Sequence, residues 1–481
     1  MAMPNASPAA DSQDAAVAIV SLYQKQQRIH PRAVNGWFVR WRWVLVWATQ
    51  ALYYGLPWLE WNARQAVLFD LAARRFYIFG LVLYPQDFIY LTGLLVVSAY
   101  ALFLFTAVAG RLWCGYACPQ TVYTEIFMWV DRHVEGDRLA RMRLDAAPWS
   151  LHKLGRKAAK HGVWIAIGLW TGFTLVGYFT PIRMLWSEAL TLGFGPWEWF
   201  WILFYGLATY GNAGWMREQV CKYMCPYARF QSAMFDKDTL IISYDSDRGE
   251  PRGSRGRKAA HREQGLGDCI DCGLCVQVCP TGIDIRKGLQ YECIGCAACV
   301  DVCNGVMDKM GYSRGLVRYA TQNSMTLGLS ARQMWARVLR PRVLVYTGVL
   351  SLICIALAAS LVLRAPFKVD IVRDRAALAR QVEDGRAENS YRMQIMNATE
   401  HVQRYRVILP AWPAASIVGR DEFEVGPAQA RWVPLAVQIP PEEATRRGPG
   451  AHAMVFQVER LPAADFGAVQ VAEDSTFVIP R

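Results

Sequence analysis

The sequence lacks a C-x-x-C-H motif, contains only seven histidines and has no cysteine after Cys354. The first absence excludes covalent attachment of a c-type haem. The scarcity of histidine, with only His161 at the edge of an apolar stretch, argues against a haem or quinone site. Charge is scarce as well, because 19% of the residues are charged and 53% are hydrophobic. This composition is unusual for a soluble protein and favours a membrane protein.

Five stretches lack charge over roughly 17 to 25 residues, the length of a membrane-spanning helix. They cover residues 43–59, 88–109, 162–180, 199–216 and 343–363. Tryptophan and tyrosine crowd the ends of these stretches, as expected for rings that prefer the headgroup layer. The first residues are polar and acidic, unlike a cleavable signal sequence. We therefore predict a membrane protein with about five transmembrane α-helices.

Lysine and arginine are concentrated in alternate connecting segments. They cluster before the first stretch, between the second and third, and after the fourth, whereas residues 60–87 and 181–198 carry little excess positive charge. Because short cytoplasmic loops retain positive charge, we expect the N-terminus in the cytoplasm and the C-terminus outside. Basic segments such as 248–262 then lie beside anionic membrane lipid, so the net charge of +12 requires no nucleic-acid partner.

Twelve of the 13 cysteines fall into four groups, all on the predicted cytoplasmic side, where dense cysteine indicates metal rather than disulfides. Two groups spell C-x2-C-x2-C-x3-C, the signature of a bacterial two-cluster ferredoxin. In that motif the fourth cysteine of each run ligates the other cluster. The predicted ligands are Cys269, Cys272, Cys275 and Cys303 for one [4Fe-4S] cluster, and Cys293, Cys296, Cys299 and Cys279 for the other.

Zinc is the alternative for these motifs, since C-x2-C steps also bind zinc. Zinc sites seldom place three cysteines two residues apart in succession, so the spacing favours iron–sulfur clusters and electron transfer. The first motif ends in Cys-Pro at Pro280, whereas Asn304 replaces that proline in the second. We expect the missing proline to leave that edge of the domain more open to water or a partner.

The remaining two groups are pairs in the pattern Cys-x-Tyr-x-Cys-Pro, each following an uncharged stretch. If a helix continues through each pair, its two thiols share one helical face, with β-carbons about 5 to 6 Å apart. Both pairs lie at the predicted cytoplasmic side, so up to four thiolates converge near the ferredoxin unit, and soft thiolates select Cu(I). A dithiol, a further iron–sulfur or zinc site, and plain packing are the alternatives. The candidate copper ligands are Cys114, Cys118, Cys221 and Cys225.

From residue 364 onward the sequence consists of short, β-branched and often alternating segments. About seven such segments predict an immunoglobulin-like sandwich, which we expect to dock periplasmic partners. Met393 and Met396 are three apart along one strand and therefore point to opposite faces, so we expect one in the core and the other exposed. Cys354, within the last apolar stretch, is expected to serve packing.

The predicted organisation has five parts. They are a cytoplasmic N-terminal segment (1–42), four transmembrane helices with C-x3-C-P motifs (43–216), a cytoplasmic α+β two-cluster ferredoxin domain with linkers (217–342), a fifth transmembrane helix (343–363) and a periplasmic all-β immunoglobulin-like domain (364–481).

The apolar stretches, both C-x3-C-P steps, the block "CIDCGLCVQVCPTGIDIRKGLQYECIGCAACVDVC" and the strand-rich tail together resemble the CcoG family of cytochrome c oxidase accessory proteins, also called FixG or RdxA. The resemblance implies a multi-pass protein of the bacterial inner membrane that reduces Cu(II) to Cu(I) during assembly of a cbb3-type haem-copper oxidase. Its implied partners are oxidase assembly factors, copper carriers and an unidentified cytoplasmic electron donor. The cysteines from Cys269 to Cys303 match the family's cluster motifs, and the two pairs match its membrane-edge cysteines.

Two other functions stay open at this point. The C-x3-C-P element also resembles the quinol-linked membrane ferredoxins NapH and NosR, so a quinol dehydrogenase is one alternative. A non-redox assembly scaffold with structural clusters is the other.

Overall fold

The computed structural model describes residues 29–257, 263–374, 379–462 and 467–480. Most of the predicted N-terminal segment, and residues 258–262 of the arginine-rich stretch, lie outside the described residues.

The first half of the chain is helical, with small antiparallel sheets between its first two long helices. The helices are α1 (Trp37–Gly55), α2 (Phe88–Ala109), α3 (Leu112–Tyr116), α4 (Pro119–Val134), α5 (Arg138–Ala146), α6 (Leu151–Val176), α7 (Ile182–Thr191), α8 (Pro196–Thr209) and α9 (Pro226–Met234). The strands are β1 (Glu60–Trp61), β2 (Arg64–Gln65), β3 (Val67–Asp70), β4 (Arg75–Ile78) and β5 (Leu81–Leu83). Wider, π-type turns cover Tyr210–Met216 and Val220–Met224, and short 3-10 turns cover Leu56–Trp58 and Pro85–Asp87.

The cysteine-rich region folds around one two-stranded antiparallel sheet, β6 (Ile241–Tyr244) with β7 (Val317–Ala320). Its helices are α10 (Ser246–Gly249), α11 (Leu274–Gln277), α12 (Ala298–Met310), α13 (Gln322–Leu327) and α14 (Ala331–Ala336), with 3-10 turns at Ile285–Lys287 and Arg337–Leu339. The long helix α15 (Pro341–Val362) follows. The predicted α+β character is therefore present.

A helix forms at each of the five apolar stretches, but only some of these helices are long and apolar enough to cross a membrane. Among the described residues, two helical segments are long and apolar enough to cross a bilayer, Pro85–Ala109 and Pro341–Val362. The α1 helix carries Arg40 and Arg42, and the first half of α6 is basic. Helix α8 has only 14 residues, but it continues through helical φ and ψ angles into the π-type turn Tyr210–Met216. The count of five spans stays a prediction.

Glycine permits close helix contacts in this part of the chain. A β-carbon at Gly172 in α6 would lie 2.3 Å from the carbonyl oxygen of Ile202 in α8, so only glycine allows this backbone approach. Helices α2 and α15 pack through Gly93 against Leu357, and the Tyr90 hydroxyl donates to the carbonyl oxygen of Ser360 at 3.1 Å. The two helices that are long and apolar enough to cross a bilayer therefore form one pair.

The C-terminal region is an antiparallel sandwich, as predicted. Its elements are β8 (Phe367–Arg373), β9 (Arg380–Gln381), β10 (Ala387–Asn397), β11 (Gln403–Ile408), β12 (Ser416–Val418), β13 (Glu422–Val425), β14 (Ala430–Ile439), α16 (Pro441–Arg447), β15 (Gly450–Arg460) and β16 (Val469–Ile479), with a 3-10 turn at Glu383–Gly385. One sheet has the order β12-β14-β10-β8 with β9 beside β10, and the other has the order β13-β11-β15-β16. Phe367, Tyr405 and Phe456 lie in the core between them.

The expectation that one of two methionines is exposed is wrong. Met393 lies in the sandwich core, and Met396 on the opposite face of β10 is also buried. The second face is covered because Met396 packs against Leu68 and Tyr84 of the loop between α1 and α2. The packing role expected for Cys354 is also wrong, since its side chain is exposed on α15.

The sandwich is fixed to the end of α2 that is distant from the cysteines. Arg364 donates to the buried Asp87 at 3.1 Å, and Lys368 approaches the same carboxylate at 2.5 Å. The Tyr84 hydroxyl donates to the carbonyl oxygen of Asn397 at 2.9 Å. Cys114 follows the other end of α2, so the sandwich and the cysteine-rich region lie at opposite ends of this helix.

Candidate functional site

The two cluster motifs follow the same backbone path. In the first motif Asp271 and Gly273 have positive φ angles of 50° and 64°, and in the second Gly295 and Ala297 have φ of 69° and 57°. These are the third and fifth residues of each motif, so two left-handed turns bend each chain segment around its first three cysteines. A left-handed conformation costs a non-glycine residue about 1–2 kcal/mol. Ala297 adopts it in a fully buried position, which indicates a loop held in place by its surroundings.

One cavity is lined by three cysteines of the first motif and one of the second. Cys269, Cys272, Cys275 and Cys303 all border it, with Tyr244 among the other lining residues. Cys303 reaches this cavity from α12. Burial, reinforced by the neighbouring thiols, raises the pKa of Cys303 to about 12.

A second cavity is lined by the complementary set. Cys279 of the first motif meets Cys293, Cys296 and Cys299 of the second, with Cys275 in the wall toward the first cavity. Burial raises the pKa of Cys293 to about 12, and Cys279 and Cys296 add to the shift. The structure therefore brings together the two crossed sets of four cysteines that the motif spacing predicts.

The donor set and the lining fit iron–sulfur clusters. Each cavity is lined by a predicted set of four cysteines, the usual ligand number of a [4Fe-4S] cluster. The second cavity is lined in addition by Cys275, Thr281 and isoleucines. Throughout the described ranges, no three His, Cys, Asp or Glu side chains are arranged to hold a single metal ion. Thiols spread around a cavity suit a multi-iron cluster better than a zinc ion.

The two cavities differ in their access to solvent. Cys272 at the first cavity is exposed, whereas Cys296 at the second is buried with 6% of its surface accessible. The first cavity therefore lies nearer to a soluble partner than the second.

The cysteines of each membrane-edge pair do not share one helix, so this part of the prediction is wrong. Cys114 lies in α3, but Cys118 has φ −62° and ψ 128° and is the N-cap of α4. Cys225 repeats this geometry, with φ −76° and ψ 112°, before α9. Each is followed by a proline, which excludes the helical conformation for the preceding residue and favours the first position of a new helix.

The four membrane-edge thiols are nevertheless electrostatic neighbours. Burial raises the pKa of Cys114 to about 11, with Cys118 and Cys225 contributing. Burial also raises the pKa of Cys221 to about 12, with all three other thiols contributing. The structure therefore brings the pairs into one neighbourhood without closing them into a single-ion site.

This neighbourhood lies directly against the second cavity. Cys114 and Cys221 pack against the buried cluster that contains Ile294 and Cys296, and Cys299 packs against the same cluster. A β-carbon at Gly115 would lie 2.8 Å from the carbonyl oxygen of Ile294 and 2.9 Å from the Cα of Cys296. Glycine next to Cys114 therefore lets the first pair approach the backbone of the second cluster motif.

Two buried residues beside Cys114 had no place in the sequence-based prediction. Arg111 lies three positions before Cys114, and Gln231 from α9 donates to the Cys114 sulfur at 3.5 Å. The available signal for Arg111 was an isolated charge between an apolar stretch and a cysteine pair. Nothing in the sequence around Gln231 indicates its proximity to Cys114, because it comes from the second cysteine repeat.

Three protein-family patterns match parts of the chain. A "4Fe-4S dicluster domain" matches residues 216–322 and a "4Fe-4S binding domain" matches residues 91–135. The "IG-like fold at C-terminal of FixG" matches residues 357–480. The chain therefore contains iron–sulfur binding domains followed by an immunoglobulin-like domain.

Similar proteins cover most of the chain. The nitrogen fixation protein FixG of Rhizobium meliloti is 41% identical over 427 residues, which are 82% of this chain and 82% of FixG. Protein RdxB of Cereibacter sphaeroides is 41% identical over 395 residues, covering 80% of this chain and 83% of RdxB. The ferredoxin-type protein NapH of Haemophilus influenzae is 24% identical over 209 residues, covering 39% of this chain and 66% of NapH.

These similarities agree with the apolar helix pair α2 and α15 in indicating an iron–sulfur electron-transfer protein associated with a membrane. The resemblance stated from the cysteine motifs is confirmed, and the chain belongs to the FixG/RdxA family.

Proposed function

We propose that this protein is a membrane-bound cupric reductase that supplies Cu(I) for assembly of a cbb3-type cytochrome c oxidase. Family membership and the 4Fe-4S domains account for electron transfer, while the copper substrate and the oxidase are the proposal. The copper proposal rests on the relative positions of the cysteines. Two cysteine-lined cavities lie side by side, and the second of them contacts a third group of four thiols.

The lining of the cavities supports the crossed ligand assignment. The first cluster would be held by Cys269, Cys272, Cys275 and Cys303, and the second by Cys293, Cys296, Cys299 and Cys279. When bound, such clusters supply one electron at a time. The exposed Cys272 favours the first site as the entry for electrons from a cytoplasmic donor protein. The packing of Cys114 and Cys221 against the buried cluster that contains Cys296 favours the second site as the exit.

The membrane-edge thiols would bind copper as the substrate, with Cys114, Cys118, Cys221 and Cys225 as ligands. These half-buried thiols would lose their protons when metal binds, since cysteine binds metal as the thiolate. One electron from the reduced donor protein converts one Cu(II) to Cu(I), and the donor protein is oxidised by one electron. Thiolate ligands then favour the soft Cu(I) product.

The proposed topology follows from the two ends of α2. The sandwich (364–481) contacts the loop before α2, and the cysteine-rich domain (217–342) contacts the segment after it. We therefore assign the N-terminal segment and the cluster domain to the cytoplasm, and the sandwich to the periplasm, of a bacterial inner membrane. Oxidase assembly factors, copper carriers and membrane lipid are the proposed partners beside the donor.

The direct test uses anaerobic, chemically reduced protein to which Cu(II) is added. We expect the clusters to be reoxidised and Cu(I) to appear in matching amount, detected with a chromogenic Cu(I) chelator. Replacing Cys221 and Cys225 together by serine should weaken copper binding and slow reduction, with unchanged cluster absorption and paramagnetic resonance spectra. Cys354→Ser is the matched control, because this thiol lies outside all four groups, and it should behave as the wild type.

Three outcomes would redirect the assignment. Reduced wild-type protein that transfers no electron to Cu(II) would refute the reductase proposal. Reduction of the clusters by a quinol analogue would favour a quinol-linked ferredoxin. Restoration of oxidase assembly by a cluster-free variant would favour a scaffold.

A further inference from the structure

Arg111, at the joint between α2 and α3, is a buried cation with only neutral hydrogen-bond acceptors. Its side chain is 7% exposed. Its Nε donates to Oε1 of Gln231 at 2.7 Å, one terminal nitrogen donates to the carbonyl oxygen of Ala228 at 2.9 Å, and the other to that of Tyr291. Within the part of the chain that the structure describes, no carboxylate pairs with this guanidinium.

A buried charge without a counter-charge is energetically costly, by several kcal/mol per ion even after relaxation. Several other buried cations of this protein face carboxylates, whereas the buried Lys153 donates, among the described residues, only to the carbonyl oxygens of Asp145 and Ala147. The pairs with a carboxylate are Arg42–Glu125 at 3.1 Å, Arg217–Asp131 at 2.7 Å and Lys160–Glu135 at 2.8 Å. We therefore expect the negative charge that balances Arg111 to come from a group other than a carboxylate.

The groups that face Arg111 are thiols from both sites. Arg111 and Cys293 line one cavity, and the guanidinium donates to the carbonyl oxygen of Tyr291, two residues before Cys293. Gln231 connects Arg111 to Cys114, because its side-chain oxygen accepts from Arg111 and its amide nitrogen donates to the sulfur of Cys114. Arg111 therefore lies between the two sets of thiols.

The backbone holds Arg111 in this position. Gly110 has φ 56°, and a β-carbon there would lie 2.7 Å from the carbonyl oxygen of Leu240. A β-carbon at Gly295, in the second cluster motif, would lie 3.1 Å from the backbone of Arg111. The arginine is thus clamped between the chain segment before β6 and the loop that carries Cys293 and Cys296.

We propose that Arg111 is a positioning residue whose fixed positive charge is shared by the second cluster and the membrane-edge thiolates. Thiolates at Cys293 and Cys114 supply the counter-charge that the guanidinium lacks. A positive charge beside a cluster favours its reduced state, because nearby charge sets the reduction potential. Arg111 therefore makes the second cluster easier to reduce than it would be without this charge, and it strengthens Cu(I) binding, a copper role that rests on the proposed function.

The test is a redox titration of both clusters, followed by paramagnetic resonance, in the full-length protein. In Arg111→Gln we expect reduction of the second cluster to become at least tenfold less favourable, about 59 mV for a one-electron couple. Arg111→Lys should retain the wild-type value because it keeps the charge. Lys160→Gln is the matched control, since it removes a buried cation whose counter-charge is Glu135, and it should leave both potentials unchanged.

Copper affinity provides an independent readout. Competition with a Cu(I) chelator should show weaker binding by Arg111→Gln than by Arg111→Lys. If Arg111→Gln does not retain its clusters, Gln231→Glu serves instead. It keeps Arg111 in place and adds a negative charge opposite its Nε, which should make the second cluster harder to reduce.

An unchanged potential of the second cluster in a cluster-loaded Arg111→Gln or Gln231→Glu variant would overturn the inference. This failure is distinct from that of the proposed function. Wild-type protein that does not reduce Cu(II), together with a potential that follows the charge of Arg111, would refute the copper proposal and leave the electrostatic role standing.

Discussion

Replacing Gly115 by alanine adds one methyl group at the contact between the membrane-edge thiols and the second cluster motif. The new β-carbon would meet three backbone atoms, the Ile294 carbonyl oxygen at 2.8 Å and the Cys296 Cα and nitrogen at 2.9 Å. Comfortable carbon contacts are about 3.5–4.0 Å. Because backbone atoms cannot rotate away as a side chain can, α3 must move by several tenths of an ångström or more.

The expected change in the free energy of unfolding is the difference between two effects. Alanine in a helix is favoured over glycine by roughly 0.5–1 kcal/mol, whereas forcing an extra methyl group into a packed contact costs about 1–3 kcal/mol. The clash is with backbone, so the upper part of that range applies. We therefore expect Gly115→Ala to destabilise the protein by about 1–2 kcal/mol and to slow Cu(II) reduction while cluster potentials stay unchanged.

The assay is thermal loss of cluster absorbance, combined with the rate of Cu(II) reduction by prereduced protein. Gly155→Ala is the control, because this glycine lies in α6 with no other atom within 4 Å of an added β-carbon. It should be stabilised by roughly 0.5–1 kcal/mol. A Gly115→Ala protein as stable as Gly155→Ala, with wild-type copper reduction, would refute the proposed contact between the two sites.

Two further predictions concern the ends of the molecule. Asp87→Asn removes the counter-charge of Arg364 and Lys368. We expect it to lower the free energy of unfolding by about 3 kcal/mol and to speed proteolysis between α15 and the sandwich. Unchanged proteolysis would contradict this expectation. Asn304→Pro restores the ferredoxin consensus, but it interrupts α12 and removes the hydrogen bond from the Gly315 nitrogen to Asn304 at 3.0 Å. Because proline inside a helix costs about 3 kcal/mol, we expect this variant to lose the first cluster at a lower temperature than the wild type. Gly305→Ala in the same helix is its control, and an equally stable proline variant would show that α12 ends earlier.

The cysteine spacing predicted much of the candidate site because ligand geometry is local. Three cysteines separated by two residues lie on one loop, and in this motif the fourth cysteine of each run belongs to the other cluster. The structure has Cys303 and Cys279 in the walls of the cavities that this rule indicates. Alternation of apolar residues likewise predicted the sandwich. The period of two along a strand is imposed by the backbone itself.

What the sequence could not reveal depends on contacts between distant segments. Met396 is buried because the loop between α1 and α2 packs on the second face of the sandwich. Asn304 does not open an edge, since α12 continues through it to Met310 and its side chain accepts from Gly315. Arg111 gains its significance only from Gln231 and Cys293, which lie more than a hundred residues later in the chain.

The helix ends at the membrane edge are a different case, because the necessary information was local. Each pair ends in Cys-Pro, and proline disfavours a helical residue before it. A continuous helix through Cys114 and Cys118 was therefore the wrong choice on sequence grounds alone.

The 22 residues of α2 place its two ends about 33 Å apart. The thiols that would bind copper follow one end, and the sandwich is anchored to the other by Asp87 and Tyr84. In the proposed topology, the two ends of α2 therefore lie at opposite surfaces of the bilayer. Copper bound beside the clusters would then be separated by the membrane from a partner that binds the sandwich, and α2 and α15 are helices that connect the two sides.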